Sequence, residues 1–200
     1  MPAAVPRRRG GTLAVLYGIG HSTLPLERFL ALLQGAGVRW LADVRAVPRS
    51  RHVPQYNDDA LATALGLAGI GYRHLPALGN RRGPQGVPAA TNAYWREPAL
   101  HHYADYALGP AFARGLASLR ALARQAPCAF MCAEGDWRHC HRRIIADHLL
   151  QAGEAVAWLG AEGATAAQAS PAMRADAHGR PVYPAAIVPG TTGDLFGPLP

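Results

Sequence analysis

Short apolar segments of strand length alternate along this chain with segments whose apolar residues recur at helical spacing, and this order restricts the fold most strongly. The predicted strands are residues 13–19, 38–44, 71–75, 128–132 and 155–159. Strands that alternate with helices form parallel sheets joined by right-handed crossovers. The sequence therefore predicts an α/β protein with three layers, in which a mainly parallel sheet of about four to five strands carries helices on both faces.

The helical segments have recognisable starts and stops. Pro25 opens a first helix that Gly35 and Gly37 end, and Asn57 can cap a second that Gly69 ends. Further helices are expected at residues 112–126 and 141–152, while the aromatic-rich segment 94–107 is a more ambiguous helix. Gly, Pro and Arg residues dominate the segment between positions 77 and 92, which predicts a long surface loop suited to a lid or a binding role.

The chain divides by composition into three parts. Residues 1–11 carry a basic run without periodicity and are expected to form a flexible arm. Residues 12–160 hold the alternating pattern and form the predicted α/β domain. Residues 161–200 are rich in Ala, Gly and Pro, and within this partly ordered tail only residues 182–188 have the pattern of an ordered segment.

Composition also bears on the compartment. The apolar run at residues 13–19 is too short to span a bilayer, and no cleavage site of small residues precedes His21. The three cysteines are odd in number and lie within one short segment, which does not suit a disulfide framework. We therefore expect a cytoplasmic protein with reduced thiols and no membrane partner; the sequence leaves its oligomeric state open.

The formal net charge of +7 would suit an anionic partner such as nucleic acid. Every basic residue is arginine and none is lysine, so the excess reflects biased composition as much as function. The position of the arginines is therefore more informative than their number. Eight fall near the predicted strand ends: Arg45, Arg49, Arg51, Arg81, Arg82, Arg138, Arg142 and Arg143.

Polar residues follow the predicted strands at their carboxyl ends. His21 and Ser22 follow the first strand, Asp43 and Arg45 end the second, and residues 134–143 follow the fourth. In open parallel sheets ligands bind outside this edge. The sequence therefore predicts that these segments converge on one polar, arginine-rich cleft.

Three motifs carry a family resemblance: Gly18-Ile19-Gly20-His21-Ser22, then Asp43-Val44-Arg45 with Pro48 and Ser50, and then Cys132-Ala133-Glu134 followed by Cys140-His141-Arg142. In this order and spacing the chain resembles the domain-of-unknown-function 488 (DUF488) family over roughly residues 13–159. The resemblance implies that these residues occupy the family's motif positions. It supplies no reaction.

We expect a small enzyme that holds an anionic, phosphate-bearing ligand, such as a nucleotide or nucleic acid, in this cleft, because guanidinium groups bind phosphate bidentately. Arg142 and Arg143 lie in the first turn of a helix, where cations need a compensating anion or acidic neighbours. The candidate catalytic residues are His21, Asp43, Glu134, Cys140 and His141. The candidate ligand-binding residues are Ser22, Arg45, Ser50, Tyr56, Cys132 and Arg142.

Three alternatives stay open at this stage. The arginines could instead pair with acidic residues inside the fold, or the protein could be a nucleic-acid-binding module without chemistry. Five residues separate Cys132 from Arg138, as in cysteine-dependent phosphatases, and Asp43-Val44-Arg45 resembles sulfur transferases; Glu134 and Asp136 within that loop would repel an anion.

Cys140 is the better candidate for a reactive thiolate, because it precedes a helix and has His139, His141, Arg142 and Arg143 beside it. Either cysteine could equally be a small packing residue. Cys132, His139, Cys140 and His141 also mix the ligand types that zinc prefers, but no paired Cys-x2-Cys spacing occurs. We expect neither a bound zinc nor a cofactor.

Overall fold

The computed structural model describes residues 15–185, and a six-stranded sheet is its central element. The strands are β1 (Leu16–Gly20), β2 (Trp40–Asp43), β3 (Gly71–His74), β4 (Cys128–Cys132), β5 (Val156–Gly160) and β6 (Gly163–Ala166). Their order is β3-β2-β4-β1-β5-β6. All neighbours pair in parallel except β5 and β6, which are antiparallel. The five predicted strands are present, and β6 adds an edge strand that the sequence did not predict.

Five α-helices join these strands: α1 (Leu26–Gly35), α2 (Asp58–Leu67), α3 (Pro98–Ala107), α4 (Pro110–Gln125) and α5 (Arg142–Gln151). The connections also contain 3₁₀ helices at Pro54–Tyr56, Pro76–Leu78, Ala89–Asn92 and Trp137–His139. The apolar faces of the α-helices cover both sides of the sheet, because a parallel sheet buried on both faces needs helices on each. The predicted three-layer α/β class is confirmed.

Two hydrophobic clusters form the core, one on each face of the sheet. One cluster includes Phe29 and Leu33 of α1 with Leu61 and Leu65 of α2. The other is larger and is built from α3, α4 and α5, with Tyr103, Phe112, Leu119, Ile144 and Ile145 among its buried residues. Strand β4 lies between them and is buried along its whole length, which makes it the most constrained element of the sheet.

The segment after the sheet packs against the domain. It contains a short hairpin of β7 (Arg174–Ala175) and β8 (Pro181–Val182), and the Tyr183 amide donates to the side chain of Asn92 at 3.0 Å. The buried Tyr183 ring packs edge-on against Trp95. The sequence expected order only at residues 182–188, of which 186–188 lie outside the described residues, as does the basic arm at residues 1–11.

The long connection before α3 is also held in place. Arg82 donates from Nε to the Gly79 carbonyl at 2.9 Å and from Nη2 to the Pro76 carbonyl at 2.7 Å. Its guanidinium lies 4.0 Å from the centre of the Tyr106 ring. Arg82 therefore stabilises the connection that contains it. This connection places Asn80 beside the carboxyl edge of the sheet.

Candidate functional site

The carboxyl ends of β1, β2 and β4 meet at one edge. Gly20 lies opposite Cys132, and Asp43 lies opposite Met131. Beyond the strands the His21 amide donates to the Cys132 carbonyl at 3.1 Å, and the Ser22 amide donates to the Ala133 carbonyl at 2.9 Å. Ser22 has a φ of 44°, a conformation that non-glycine residues seldom adopt. These bonds fix the loop that brings His21 toward the other predicted site residues.

A buried ion pair joins Asp43 and Arg45 at the end of β2. The guanidinium donates to both carboxylate oxygens, from Nε at 2.9 Å and from Nη2 at 2.6 Å, and Nη2 also donates to the Tyr56 carbonyl at 2.8 Å. The same carboxylate accepts hydrogen bonds from the Arg45 amide and from the Tyr72 hydroxyl. Both side chains are buried, so the pair is a structural cross-link inside the fold.

His21 lies beside this pair and is fully buried. Its Nδ1 donates to the Ser22 carbonyl at 2.9 Å, which leaves Nε2 to accept from Arg45 Nη1 at 3.4 Å. The ring stacks on Tyr56 with 4.0 Å between centroids. Burial, and after it the positive charge of Arg45, lowers the pKa of His21 from 6.5 to about 4. His21 is therefore a neutral histidine whose ring is fixed between Arg45 and Tyr56.

Two other predicted ligand-binding residues also serve the fold. Tyr56 is buried and donates its hydroxyl proton to the Leu24 carbonyl at 3.0 Å. The Ser50 amide donates to the Asn57 side chain at 2.7 Å, and its hydroxyl accepts from the His52 amide. Tyr56 thus ties the loop after β2 to the segment before α1, and Ser50 holds the same loop against the start of α2.

A separate cavity of about 230 Å³ opens next to this buried cluster. Four of the predicted site residues line it: Cys132, Glu134, Cys140 and His141. Asn80, Glu97, Ala99, Leu100 and His139 complete its wall. The predicted residues thus divide into two groups, a buried polar cluster around Asp43 and a cavity around Cys140. Arg142 and His141 lie between the two groups.

Two sulphur atoms and one ring nitrogen form the floor of the cavity. Cys132 Sγ, Cys140 Sγ and a nitrogen of His141 lie within 4.8 Å of one another. His141 Nε2 donates to the Val44 carbonyl at 3.1 Å, which leaves Nδ1 3.5 Å from Cys140 Sγ. The sequence spacing gave no sign that these three atoms would converge, because the loop between the cysteines folds back on itself.

These three residues are also the ones that could hold a soft metal ion in the described part of the chain. A cation there would share Cys140 with the guanidinium of Arg142. His139, which the sequence analysis counted as a fourth candidate ligand, is exposed and lies 3.2 Å from Asp136 Oδ2. The expectation of no bound zinc stays a prediction.

Arg142 supplies the positive charge at the start of α5. Its side chain is 1% exposed, and it donates from Nε to Cys140 Sγ at 3.2 Å and from Nη2 to the Glu134 carbonyl. Among residues 15–185, no carboxylate oxygen lies within 4.0 Å of its guanidinium. A buried charge requires a counter-charge. The group in contact with Arg142 that can become an anion is the Cys140 thiol.

The two cavity cysteines differ in protonation for this reason. The pKa of Cys140 lies well below its usual range, because the Cys132 thiol donates a hydrogen bond to it and because His141 and Arg142 stabilise its charge. The pKa of Cys132 is raised by that same hydrogen bond and by burial. These surroundings therefore favour loss of the proton from Cys140 before Cys132.

Cys128 provides the contrast within the same strand. It is fully buried at the start of β4, and burial raises its pKa to about 12. It does not line the cavity. Cys128 is a packing residue, and it offers a matched control for experiments on Cys132 and Cys140.

The loop from Cys132 to Arg138 does not form the anion cradle of a cysteine phosphatase. The side chain of Arg138 is 63% exposed and pairs with Asp136 at 3.3 Å. Asp136 Oδ1 also accepts from the Arg138 amide, which caps the 3₁₀ helix Trp137–His139. The backbone amide at this position is thus directed at a carboxylate of the protein.

Sequence reasoning missed several residues of this region. Asn80 and Glu97 line the cavity from the long connection and the start of α3, but neither belongs to a motif. Tyr72 binds Asp43 across the β2–β3 pairing. The one available signal was the parallel pairing itself, since a polar residue on a neighbouring strand can reach the end of β2.

Gly20 is required by the close approach of two chain segments. A Cβ atom at this position would overlap the Glu134 carbonyl and lie 2.9 Å from Arg142 Nη2. We expect Gly20→Ala to lower the free energy of unfolding by about 1–3 kcal/mol, because the loop that holds Glu134 must move. Urea denaturation measures this loss. Gly66→Ala is the control: a Cβ there meets nothing within 4 Å, and α2 should gain stability.

Comparison with known families supports the resemblance over the segment that carries the second and third motifs. The family model described as Domain of unknown function DUF488 matches residues 25–149, more than half of the chain. The chain belongs to this family. Within the described residues, no helix of this protein is both long and apolar enough to cross a membrane. Neither the comparison with curated proteins nor that with solved structures gave a match.

The matched region defines what the DUF488 family shares with this chain. It begins at α1 and ends within α5, and so includes Asp43, Arg45 and the Cys132–Arg142 loop. His21 and Ser22 lie before it. The family description gives no reaction, so the chemistry of the DUF488 cavity has to be argued from its own atoms.

Proposed function

We propose that this DUF488 protein is a thiol-dependent enzyme that acts on a small substrate in the cavity, with the Cys140 thiolate as nucleophile. The observation that carries the proposal is the contact between Arg142 and Cys140 Sγ, because no carboxylate among residues 15–185 pairs with this buried guanidinium. A thiolate, unlike a thiol, is a strong nucleophile at neutral pH. The first turn of α5 adds a favourable dipole.

The neighbouring groups have separate roles in this proposal. His141 is held by Val44, and its Nδ1 lies beside the sulphur, where it can exchange a proton with a substrate atom. Glu134 lines the mouth and its carboxylate accepts from the Asp136 amide. It is placed to accept a proton from a bound molecule. Asp43, Arg45 and His21 act as positioning residues below the reacting atoms.

The phosphate-bearing ligand expected from the sequence has less support at this cavity. Arg45 is bonded to Asp43, and Arg142 is bonded to Cys140 and to a carbonyl. Two carboxylates, Glu97 and Glu134, line the wall. The volume of about 230 Å³ is also below the range of about 300–1,000 Å³ typical of pockets that hold drug-sized ligands. A small uncharged electrophile suits this cavity better than a nucleotide.

Alkylation kinetics test the proposed nucleophile. We expect iodoacetamide to modify Cys140 before Cys132 and Cys128, at a rate that changes little between about pH 6.5 and pH 8.5, because the thiolate is already formed. An ordinary thiol would slow about tenfold for each pH unit below its pKa. Peptide mass spectrometry after timed quenching identifies the modified cysteine and measures each rate.

Two variants make this test specific. Arg142→Gln should restore ordinary pH dependence at Cys140, because the positive charge beside the sulphur is lost. Cys128→Ala should leave the rate at Cys140 unchanged, since Cys128 lies outside the cavity. If the alkylation rate of Cys140 in the wild type falls steeply as the pH is lowered, like that of a free thiol, Arg142 does not hold a thiolate and the proposal ends.

A further inference from the structure

Cys132 forms no bond to the substrate in a single nucleophilic attack, yet its sulphur lies beside that of Cys140 at the floor of the cavity. We propose that Cys132 is a resolving thiol, and that the pair reduces a small hydroperoxide and closes to a Cys132–Cys140 disulfide. The inference rests on the proposed function, because it needs Cys140 as the attacking thiolate. It adds a second catalytic residue and names the substrate class.

The fold places the two sulphurs for this step. Cys132 ends β4, and Cys140 lies in the short loop immediately before the His141 cap of α5, so the sheet fixes one sulphur and a loop carries the other. Their Sγ atoms lie within 4.8 Å of each other. Closing to a bond of about 2.0 Å requires a movement of the loop that contains Cys140 rather than a rearrangement of the sheet.

The first step oxidises Cys140 by two electrons. Its thiolate attacks the outer oxygen of the hydroperoxide, so that an S–O bond forms and the O–O bond breaks. The alkoxide leaves and takes one proton from solvent to become an alcohol, and Cys140 becomes a sulfenic acid. Arg142 lies at the sulphur, where its N–H group can stabilise the leaving oxygen.

The second step uses Cys132. Its sulphur attacks the sulfenic sulphur of Cys140, an S–S bond forms, the S–O bond breaks, and the hydroxyl group leaves as water with the proton of Cys132. One hydroperoxide is thereby reduced to one alcohol and one water. Two equivalents of an external thiol then return the disulfide to two thiols and are themselves joined as a disulfide.

The size and burial of the site favour a small oxidant. Cys132 and Cys140 are 6% and 4% exposed, and the cavity holds about 230 Å³. A bulky disulfide substrate would have to bring its own sulphur to this depth. Hydrogen peroxide and short alkyl hydroperoxides need only reach the floor with two oxygen atoms.

The test uses the full chain, fully reduced, and hydrogen peroxide as the probe. After treatment with one equivalent and quenching with iodoacetamide in denaturant, we expect peptide mapping to show a Cys132–Cys140 disulfide, with Cys128 alkylated. In Cys132→Ala we expect the disulfide to be lost and dimedone to trap a sulfenic acid on Cys140 instead. Cys128→Ala is the matched control and should form the disulfide as the wild type does.

Cys132→Ser keeps the side-chain size should Cys132→Ala fail to fold, and the wild-type mapping needs no variant. A wild type that accumulates the sulfenic acid or over-oxidised Cys140 without a disulfide overturns the resolving role, although the proposed nucleophile survives. A disulfide that involves Cys128 overturns the assignment of Cys132. If Cys140 reacts with neither iodoacetamide nor peroxide, the proposed function itself is refuted.

Discussion

Arg45→Ala is expected to lower the free energy of unfolding by about 3–5 kcal/mol, the cost of breaking a buried ion pair by removing one partner. Asp43 is fully buried, and Arg45 supplies its charged partner through Nε and Nη2. Without Arg45 the Asp43 carboxylate keeps the hydrogen bond from the Tyr72 hydroxyl but loses its positively charged partner. The Tyr56 carbonyl also loses its donor. Urea denaturation, monitored by far-UV circular dichroism, measures the loss.

A nearby arginine provides the control for this prediction. Arg49 lies in the same loop and pairs with Asp58 at 2.9 Å, but its side chain is 59% exposed. We expect Arg49→Ala to cost less than about 1 kcal/mol, because solvent screens exposed pairs. If Arg45→Ala were no more costly than Arg49→Ala yet weakened binding of a phosphorylated ligand, Arg45 would be an anion-binding residue after all.

The fold was predictable because apolar pattern and glycine position act locally. Strand β4 reads as an uninterrupted apolar run, since both of its faces are buried. Gly37 and Gly69 adopt positive φ directly after α1 and α2, as expected of residues that end helices. Strand β6 was missed because its residues are exposed and small, so that no apolar alternation marks it.

The site was predictable only to the level of topology. Parallel pairing brings the ends of β1, β2 and β4 together, so the polar segments after them had to converge. Whether a given side chain faces the cavity depends on loop conformation. Arg45 turns back onto Asp43, and the capped 3₁₀ helix Trp137–His139 folds Cys140 toward Cys132. Neither turn has a signature that spacing alone reveals.

The contacts of the α5 arginines differ from the anion or acidic neighbours that the sequence led us to expect. The macrodipole argument required an anion or acidic neighbours near Arg142 and Arg143. Arg142 contacts the Cys140 sulphur, and Arg143 donates to Ser170 Oγ and lies 5.2 Å from the centre of the Trp95 ring. A residue from the Ala/Gly/Pro-rich tail thus completes the surroundings of α5, which the local sequence could not indicate.

Acid should destabilise this protein through two buried histidines, His21 and His148. Burial lowers the pKa of both His21 and His148 from 6.5 to about 4. A depressed pKa means that the unfolded chain binds the proton more readily, so their stabilising contribution is present above about pH 6.5 and declines as pH falls toward 4. Each can account for up to about 3 kcal/mol.

The surroundings of each ring support this direction. Arg45 and Arg142 face His21, and Asp43 offsets them in part. His148 packs against Phe112 with 4.7 Å between centroids, and within residues 15–185 its buried Nε2 has no hydrogen-bond partner. The charges of Arg180 and Asp176 lie nearby and oppose each other. Protonation would therefore place an uncompensated charge in an apolar region at His148 and beside two guanidinium groups at His21.

Urea denaturation at a series of pH values from about 7 to about 4.5 tests the histidine effect. We expect the unfolding free energy of the wild type to fall across this range, and the double variant His21→Gln with His148→Gln to show a much flatter dependence. His52→Gln should keep the wild-type slope, because His52 is exposed. Comparing slopes removes the fixed cost of each substitution. A double variant as steep as the wild type would assign the acid sensitivity to carboxylates and refute the role of these rings.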